Sequence, residues 1–269
     1  QIFWINGALS YTYYGKNLKE VTPVYIRSKS ETAKIQKTLD KNADKIVKKA
    51  LEYDNVFERV LYLHDAVINS TTYIQSSDTY ISYADGPLVY GYALCEGYSK
   101  AFTYLCQLIG VEAVNIMGYS GNSHMWSMVK LEGKWYHVDV TFDDPISEKP
   151  TLGHDYFGLT TKEISKTHTI DNPFPAPKAT ATKYNYFNAK GIKIYSKTND
   201  AYSALVEEAV KNYKKKVYRT EVVCDSTIVT SVMMKINTNI FNDLARYGCY
   251  PSSGIYGQLG RSVYIELKP

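Results

Sequence analysis

The chain has 269 residues, and its 31 basic and 27 acidic side chains are spread along it without long runs of one sign. This length allows one large domain or two modest ones, with a substantial buried core. A net charge of +4 is too small and too dispersed to indicate a nucleic-acid-binding surface. No apolar run approaches the length of about 18 residues that a membrane span needs, so neither nucleic acid nor a membrane span is expected.

The cysteine content excludes some further classes. The four cysteines, at positions 95, 106, 224 and 249, are too few for a disulfide scaffold, and the pattern leaves open whether Cys224 and Cys249 pair. No His/Cys cluster has the spacing of a zinc site, so we expect neither a metal nor an organic cofactor. The opening stretch QIFWINGALSYTYYGK has no signal-peptide pattern. Richness in Tyr, Asn and Thr with scarce Cys is typical of exported bacterial surface proteins, which predicts an extracellular or cell-surface location.

The first third of the chain predicts one strand and two helices. Residues 21–28, VTPVYIRS, are the best strand candidate. Apolar residues at helical spacing predict an amphipathic helix over 31–53 with Ser30 as its N-cap, and a second helix over 55–68 capped by Asp54.

The middle of the chain predicts a loop, a helix and a run of strands. Residues 69–89 are rich in Ser, Thr, Tyr and Asp and indicate a loop. The next helix begins at Cys95 and ends near Ile109, with Gly110 as the stop signal. Three strands are expected after it, over 111–119, 124–131 and 134–142.

The pattern changes after the proline-rich segment 172–177, NPFPAP, to short strands and one or two helices. The domain prediction therefore has three parts: an N-terminal strand and helix (1–54), a core (55–175) and a small C-terminal α+β module of unknown role (176–269).

Cys95 stands at the first turn of its predicted helix, where unpaired backbone N–H groups favour a thiolate over a thiol. The same N–H groups can hold an oxyanion that forms on a bound carbonyl. A large drop in thiol pKa needs a histidine beside it, and a group that orients that histidine.

The predicted hairpin around Glu132 and Gly133 supplies both. If these two residues form the turn, Leu131 lies opposite Lys134, and side-chain alternation places His124 and Asp139 on the same face as diagonal neighbours. A bulged turn would shift this register. The carboxylate would accept the Nδ1 proton of the imidazole and leave Nε2 for the thiol, with cysteine in the serine role of a triad.

These residues carry a family resemblance. The motifs LCEGYSKAF around Cys95, SHMWSMV around His124 and WYHVDVTFDDP around Asp139 occur in the order of the transglutaminase-like superfamily in its bacterial form. The upstream RVLYLHDAVINSTTY resembles the helix that precedes the cysteine in that family, so the resemblance covers 56–145, about one third of the chain. It implies an α+β fold, a papain-like core in which the cysteine helix packs on an antiparallel sheet, with a small C-terminal α+β module.

The resemblance leaves the oxyanion donor open. Papain-like enzymes often use a Gln six residues before the cysteine, but Val89 stands there, and the upstream tryptophan of animal transglutaminases has no counterpart between Trp4 and Trp126. The Cys95 backbone N–H is one candidate donor. Three tyrosines are candidates for the second: Tyr73, Tyr90 and Tyr92.

Other residues have simpler interpretations. Cys106 is mid-helix near the apolar stripe and is expected in the core. His64 lies on an apolar helical face, which favours a buried, hydrogen-bonded histidine. His137 competes with His124, because it also shares a strand face with Asp139, although its position relative to the motif argues against it.

The combined prediction is a cysteine-dependent acyl-transfer enzyme that acts on amide or peptide bonds through a thioester. Hydrolysis is favoured over crosslinking, because no calcium-binding pattern or barrel domains accompany the core. The expected partner is a protein or peptide, with cell-wall peptide as one option, and the oligomeric state is open. The alternatives are a peptide- or cell-wall-binding module without turnover, a protein-crosslinking transglutaminase, and a thiol with redox or self-linking chemistry.

Overall fold

The computed structural model describes residues 5–25, 27–145 and 152–269, and the chain divides into two compact units between Asn185 and Tyr186. The proline-rich segment 172–177 thus belongs to the first unit. No helix within the described ranges combines the length and apolar character that crossing a bilayer requires.

The first unit opens with an antiparallel hairpin of β1 (Ile5–Tyr14) and β2 (Asn17–Tyr25). Gly15 lies in the connecting turn with φ of 60°, a conformation that glycine adopts without strain. The strand predicted over 21–28 corresponds to the end of β2. Its Ile26 lies outside the described residues.

Two helices follow, α1 (Lys29–Ala50) and α2 (Val56–Ser70). Their N-caps are Ser28 and Asn55, so the predicted caps Ser30 and Asp54 are wrong. Ser28 is preferred because it forms a reciprocal pair with Glu31: the Ser28 Oγ accepts from the Glu31 N–H at 3.3 Å, and the Glu31 carboxylate accepts from the Ser28 N–H at 3.0 Å. The capping box therefore starts the helix earlier than apolar spacing suggests.

The segment predicted as a loop is a compact connection. It contains β3 (Thr72–Tyr73), a 3₁₀ turn (Thr79–Ser82), a π-helical turn (Gly86–Tyr90) and β4 (Tyr92–Ala93), and β3 pairs with β4 in parallel. The next helix, α3 (Cys95–Leu108), packs against the 3₁₀ turn. A Cβ on Gly97 would lie 2.3 Å from the Ile81 carbonyl oxygen, so only glycine allows this approach beside Cys95.

A five-stranded sheet completes the core, in the order β8-β7-β6-β5-β9 with every neighbouring pair antiparallel. Its strands are β5 (Ala113–Ser120), β6 (Asn122–Leu131), β7 (Lys134–Val138), β8 (Phe157–Leu159) and β9 (Thr169–Ile170), with the short helix α4 (Thr161–Ile164) before β9. Helix α3 packs on β5 and β6. The predicted α+β core, with the cysteine helix on an antiparallel sheet, is confirmed.

The β6–β7 hairpin has the predicted register. Leu131 pairs with Lys134, and the pairing continues to Ser127 with Val138. Both turn residues are left-handed, with φ of 47° at Glu132 and 76° at Gly133, which is the geometry of a two-residue hairpin turn. Strand β7 ends at Val138, earlier than predicted, because the chain turns over 140–143.

The second unit contains a four-stranded sheet in the order β10-β11-β13-β12. Its elements are α5 (Tyr186–Ala189), β10 (Ile194–Tyr195), α6 (Thr198–Lys214), β11 (Arg219–Cys224), α7 (Val229–Arg246), β12 (Ser253–Leu259) and β13 (Ser262–Lys268). Cys224 and Cys249 are both buried in the core of this unit and are unpaired thiols. Burial raises the pKa of the Cys224 thiol to about 11.

Candidate active site

Cys95 is the first residue of α3 and is partly accessible. The preceding residue, Leu94, has an apolar side chain that caps none of the first-turn N–H groups. These N–H groups carry the positive end of the helix dipole, which favours negative charge on the Cys95 sulfur. The local structure around the cysteine therefore matches the predicted helix start.

His124 lies near the start of β6, and Asp139 follows the last residue of β7. The His124 Nε2 is 2.6 Å from the Asp139 Oδ2, and both side chains are buried. His124 is also hydrogen-bonded to Cys95. Since Nε2 faces the carboxylate, Nδ1 is the nitrogen left for the thiol. The prediction that Nδ1 faces Asp139 and Nε2 faces the thiol is wrong. Strand register determines which side chains meet, but it does not determine which nitrogen of the imidazole points at the carboxylate.

The electrostatics of this pair favour an imidazolium. Burial alone would lower the pKa of His124, but its hydrogen bonds to Asp139 and Cys95 raise that pKa to about 10. Burial likewise opposes ionisation of Asp139, yet the hydrogen bonds from His124 and His168 hold its pKa below the usual range. A cation thus lies beside the Cys95 sulfur at neutral pH, which is the condition under which a thiolate is stable.

Asp139 is held by donors on both oxygens. Its Oδ1 accepts the backbone N–H groups of Thr141 at 3.1 Å and Phe142 at 3.2 Å. Its Oδ2 accepts from His124 and, at 2.9 Å, from the Nε2 of His168. His168 is missing from the sequence-based site, because it lies between α4 and β9 in a segment with no motif or periodicity that indicates a role.

The other histidine and cysteine considered in the sequence analysis, His137 and Cys106, have partners or surroundings that differ from those of His124 and Cys95. The Nδ1 of His137 accepts from the Trp126 indole N–H at 3.0 Å, and its Nε2 lies 3.3 Å from the Thr161 hydroxyl. Burial and the nearby His168 lower the pKa of His137 to about 4, so it is a neutral core residue. Cys106 is fully buried, as predicted, and burial raises the pKa of its thiol.

The three tyrosine candidates occupy different environments. Tyr73 is in β3, half-buried, beside the strand that leads into Cys95. Tyr92 lies in that leading strand and is exposed, and Tyr90 is exposed with its ring 4.4 Å from the ring of Tyr80. The second oxyanion donor stays a prediction for all three.

A second set of hydrogen-bonded imidazoles and carboxylates includes two residues of α2. His64 is fully buried, as predicted, with Nδ1 2.9 Å from the Asp65 Oδ1 and Nε2 3.2 Å from the Asp143 Oδ2. The Nε2 of His154 also contacts the Asp65 Oδ1, at 2.9 Å. The His64–Asp143 contact connects α2 to the turn that follows Asp139, so it helps to hold Asp139 in place.

Two groups of described residues contain ligand types that metal ions use: His64 with Asp65 and His154, and His124 with Asp139 and His168. In each group the two imidazoles share one carboxylate oxygen. Hydrogen bonding therefore already accounts for both arrangements.

The His64 cluster predicts a pH-dependent stability. Burial would lower the pKa of His64, but hydrogen bonds to Asp143 and Asp65 raise it from 6.5 to about 9. A raised folded-state pKa adds stability that is complete below the unfolded value and is lost as pH rises through about 9. His64 is expected to contribute a loss of about 3 kcal/mol in unfolding free energy between pH 6.5 and 9.5, and the raised pKa of His124 adds to the total loss over the same range. Urea denaturation at the two pH values measures it. His64→Gln should reduce the difference, and an equal difference in that variant would contradict the assignment to His64.

Part of the chain is similar to known proteins in sequence. Residues 42–140 match the model of the transglutaminase-like superfamily. Human kyphoscoliosis peptidase is 34% identical over 102 residues, covering 31% of this chain and 15% of that protein, and its mouse counterpart gives the same figures. The chain thus spans about 15% of the length of the curated relatives it matches.

Two solved structures are similar to part of this chain. A cysteine protease candidate from Cytophaga hutchinsonii is 23% identical with a TM-score of 0.33, over 37% of each chain. A TGase structure is 17% identical with a TM-score of 0.38, over 54% of this chain and 46% of that one.

Proposed function

We propose that this protein is a cysteine-dependent acyl-transfer enzyme, because residues 42–140 match the model of the transglutaminase-like superfamily. Its catalytic residues are Cys95, His124 and Asp139. The observation that carries the proposal is the continuous chain of hydrogen bonds from Asp139 through His124 to a cysteine at a helix N-terminus.

The proposed first half-reaction cleaves an amide. The Cys95 thiolate attacks the substrate carbonyl carbon, and the carbonyl oxygen becomes an oxyanion. His124 then gives its Nδ1 proton to the leaving nitrogen as the C–N bond breaks, which leaves a thioester on Cys95 and a neutral imidazole. Asp139 holds the ring through Nε2 and stabilises its positive charge before the transfer.

The second half-reaction returns the enzyme to its starting state. Water or an amine attacks the thioester, His124 takes a proton from that acceptor, and the Cys95 sulfur leaves as the thiolate. The N–H of Cys95 at the start of α3 is a donor for the oxyanion in both halves. One hydroxyl among the three candidate tyrosines is proposed as the second donor.

Hydrolysis of a protein or peptide is proposed as the main outcome, with cell-wall peptide as one substrate type and a location outside the cell. A peptide-library digest run beside an amine-donor incorporation assay separates hydrolysis from crosslinking. A product in which water has replaced the amine supports hydrolysis, and incorporation of the donor into protein supports crosslinking.

The test of the proposed chemistry is the pH dependence of thiol labelling. Iodoacetamide should alkylate Cys95 at pH 6 at a rate within about threefold of that at pH 9, because the proposed mechanism pairs a thiolate with the His124 imidazolium over this range. His124→Ala should slow labelling at pH 6 by at least about tenfold and restore a steep rise with pH. Peptide mapping by mass spectrometry measures the alkylation of Cys95 and of Cys106 in the same sample.

His137→Ala is the matched control, because His137 is a buried histidine of the same sheet that makes no hydrogen bond to Cys95 or His124 among the described residues. It should leave the labelling of Cys95 unchanged. Wild-type labelling that rises steeply with pH, or an equal response to both histidine substitutions, would reject the proposed enzyme.

A further inference from the structure

Asp139 shares a single oxygen between two imidazoles. Its Oδ2 accepts from the His124 Nε2 at 2.6 Å and from the His168 Nε2 at 2.9 Å. The Asp139 and His168 side chains are fully buried, and the two imidazole rings lie 5.3 Å apart. The proposed triad uses one of these imidazoles, which leaves the second without an assigned role.

The hydrogen-bond partners of His168 define its tautomer. Its Nε2 faces the Asp139 carboxylate, and its Nδ1 is 2.8 Å from the Thr167 hydroxyl, which is also hydrogen-bonded to Tyr156 and lies 3.4 Å from the Ile164 carbonyl. An ionised carboxylate has no proton to donate, so the His168 Nε2 carries the proton that is directed at Asp139. The His168 imidazole is thus a donor to the carboxylate.

The fold holds His168 rigidly in this position. Its ring packs among three aromatic side chains at centroid distances of 4.8 to 5.7 Å: Phe142, Trp126 and Tyr156. The backbone after it, β9, lies against β5 at Gly118, where a Cβ would be 2.0 Å from the Thr169 carbonyl oxygen. Glycine at 118 thus allows β9 to bring His168 to Asp139.

We propose that His168 is a positioning residue of the acyl-transfer reaction, which fixes the Asp139 carboxylate and moderates its hold on the His124 proton. The inference rests on the proposed function. A second donor on Oδ2 spreads the carboxylate charge, so the His124 imidazolium is held less strongly and can give its proton to the leaving group more easily. Without His168, Asp139 would stay anchored through Oδ1 but would bind the His124 proton more tightly.

Other titratable groups near His124 and His168 also affect the protonation of His124. They are Cys95 from α3, His137 from β7, Tyr156 before β8, and Asp139 itself. Of these, Cys95 and Asp139 face His124 directly, and both favour its protonated form.

The experiment follows His124 directly by NMR titration of protein labelled at histidine 13Cε1, with signals assigned by single substitutions. His168→Phe keeps a ring but removes the donor, and should raise the titration midpoint of His124 by about 0.5 to 1 pH unit. His168→Gln, whose amide N–H can reach Asp139, should keep the midpoint within about 0.3 unit of wild type. In His168→Asn the side chain is too short to reach Asp139. This variant should therefore also raise the His124 midpoint, and it replaces His168→Phe if the Phe variant does not fold.

A second readout is the rate at which iodoacetate labels Cys95 at pH 7. The rate should stay within about threefold of wild type in His168→Phe and His168→Gln, because alkylation needs the thiolate and takes no proton from His124. An unchanged or lowered His124 midpoint in the Phe and Asn variants, or a midpoint raised equally in the Gln and Phe variants, would overturn the inference; a tenfold loss of labelling in the Phe variant would show that the site itself is disrupted. The His124 midpoint is measured without substrate. A midpoint that does not change in the His168 variants therefore rejects only the role of His168, whereas a wild-type Cys95 that fails to react with iodoacetamide at pH 6 rejects the proposed function.

Discussion

Cys95→Ala is expected to abolish acyl transfer, with a loss of at least about 10⁴-fold in kcat, because no other group can form the thioester. The helix N-terminus, the imidazole and the carboxylate would remain, but none of them replaces the nucleophile. Cleavage of peptides and incorporation of amine donors should both disappear. Intact-mass analysis during turnover should show an acyl adduct on the wild type and none on the variant.

Cys106→Ala is the control for this substitution. Cys106 lies in the same helix, is fully buried, and has no contact with the proposed site among the described hydrogen bonds. Removal of its sulfur should lower the unfolding free energy by about 1 kcal/mol and leave turnover unchanged. Turnover that survives in Cys95→Ala, or that is lost equally in both variants, would contradict the assignment of Cys95.

Asp139→Asn is expected to lower kcat by about 10³- to 10⁴-fold. The amide cannot stabilise the His124 imidazolium as a carboxylate does. If its oxygen faces the imidazoles, its NH₂ group opposes the N–H groups of Thr141 and Phe142, which Oδ1 now accepts. The variant should therefore also lose about 1 to 3 kcal/mol of stability, because buried donors are left unpaired. Turnover and urea denaturation measure the two effects.

Asp144→Asn is the matched comparison, since Asp144 is a half-buried carboxylate in the same turn that accepts from the Tyr98 hydroxyl at 2.6 Å. It should change kcat by less than about threefold, because it makes no contact with His124 among the described hydrogen bonds. The pH dependence of Cys95 labelling should become steep in Asp139→Asn and stay shallow in Asp144→Asn. An Asp139→Asn enzyme within tenfold of wild type would exclude the orienting role.

The cysteine helix and the β6–β7 hairpin can be predicted from the spacing of apolar residues over short stretches of the sequence. The apolar spacing after Cys95 predicts helix α3, and the alternation on either side of Glu132 and Gly133 predicts the hairpin register that the structure has. Both depend on residues close together in the chain, where backbone geometry leaves few alternatives. The meeting of His124 with Asp139, which are 15 residues apart, follows from that register.

Other features depend on contacts that no local pattern encodes. His168 reaches Asp139 across 29 residues, and His64 reaches Asp143 across 79. Which nitrogen of His124 faces the carboxylate is likewise decided by how α3 and the strands pack around the ring. Helix periodicity and strand alternation constrain a side chain to a face of its own element. Only the packing of distant elements determines which buried donors and acceptors meet, and here it places a second imidazole on the carboxylate of the proposed triad.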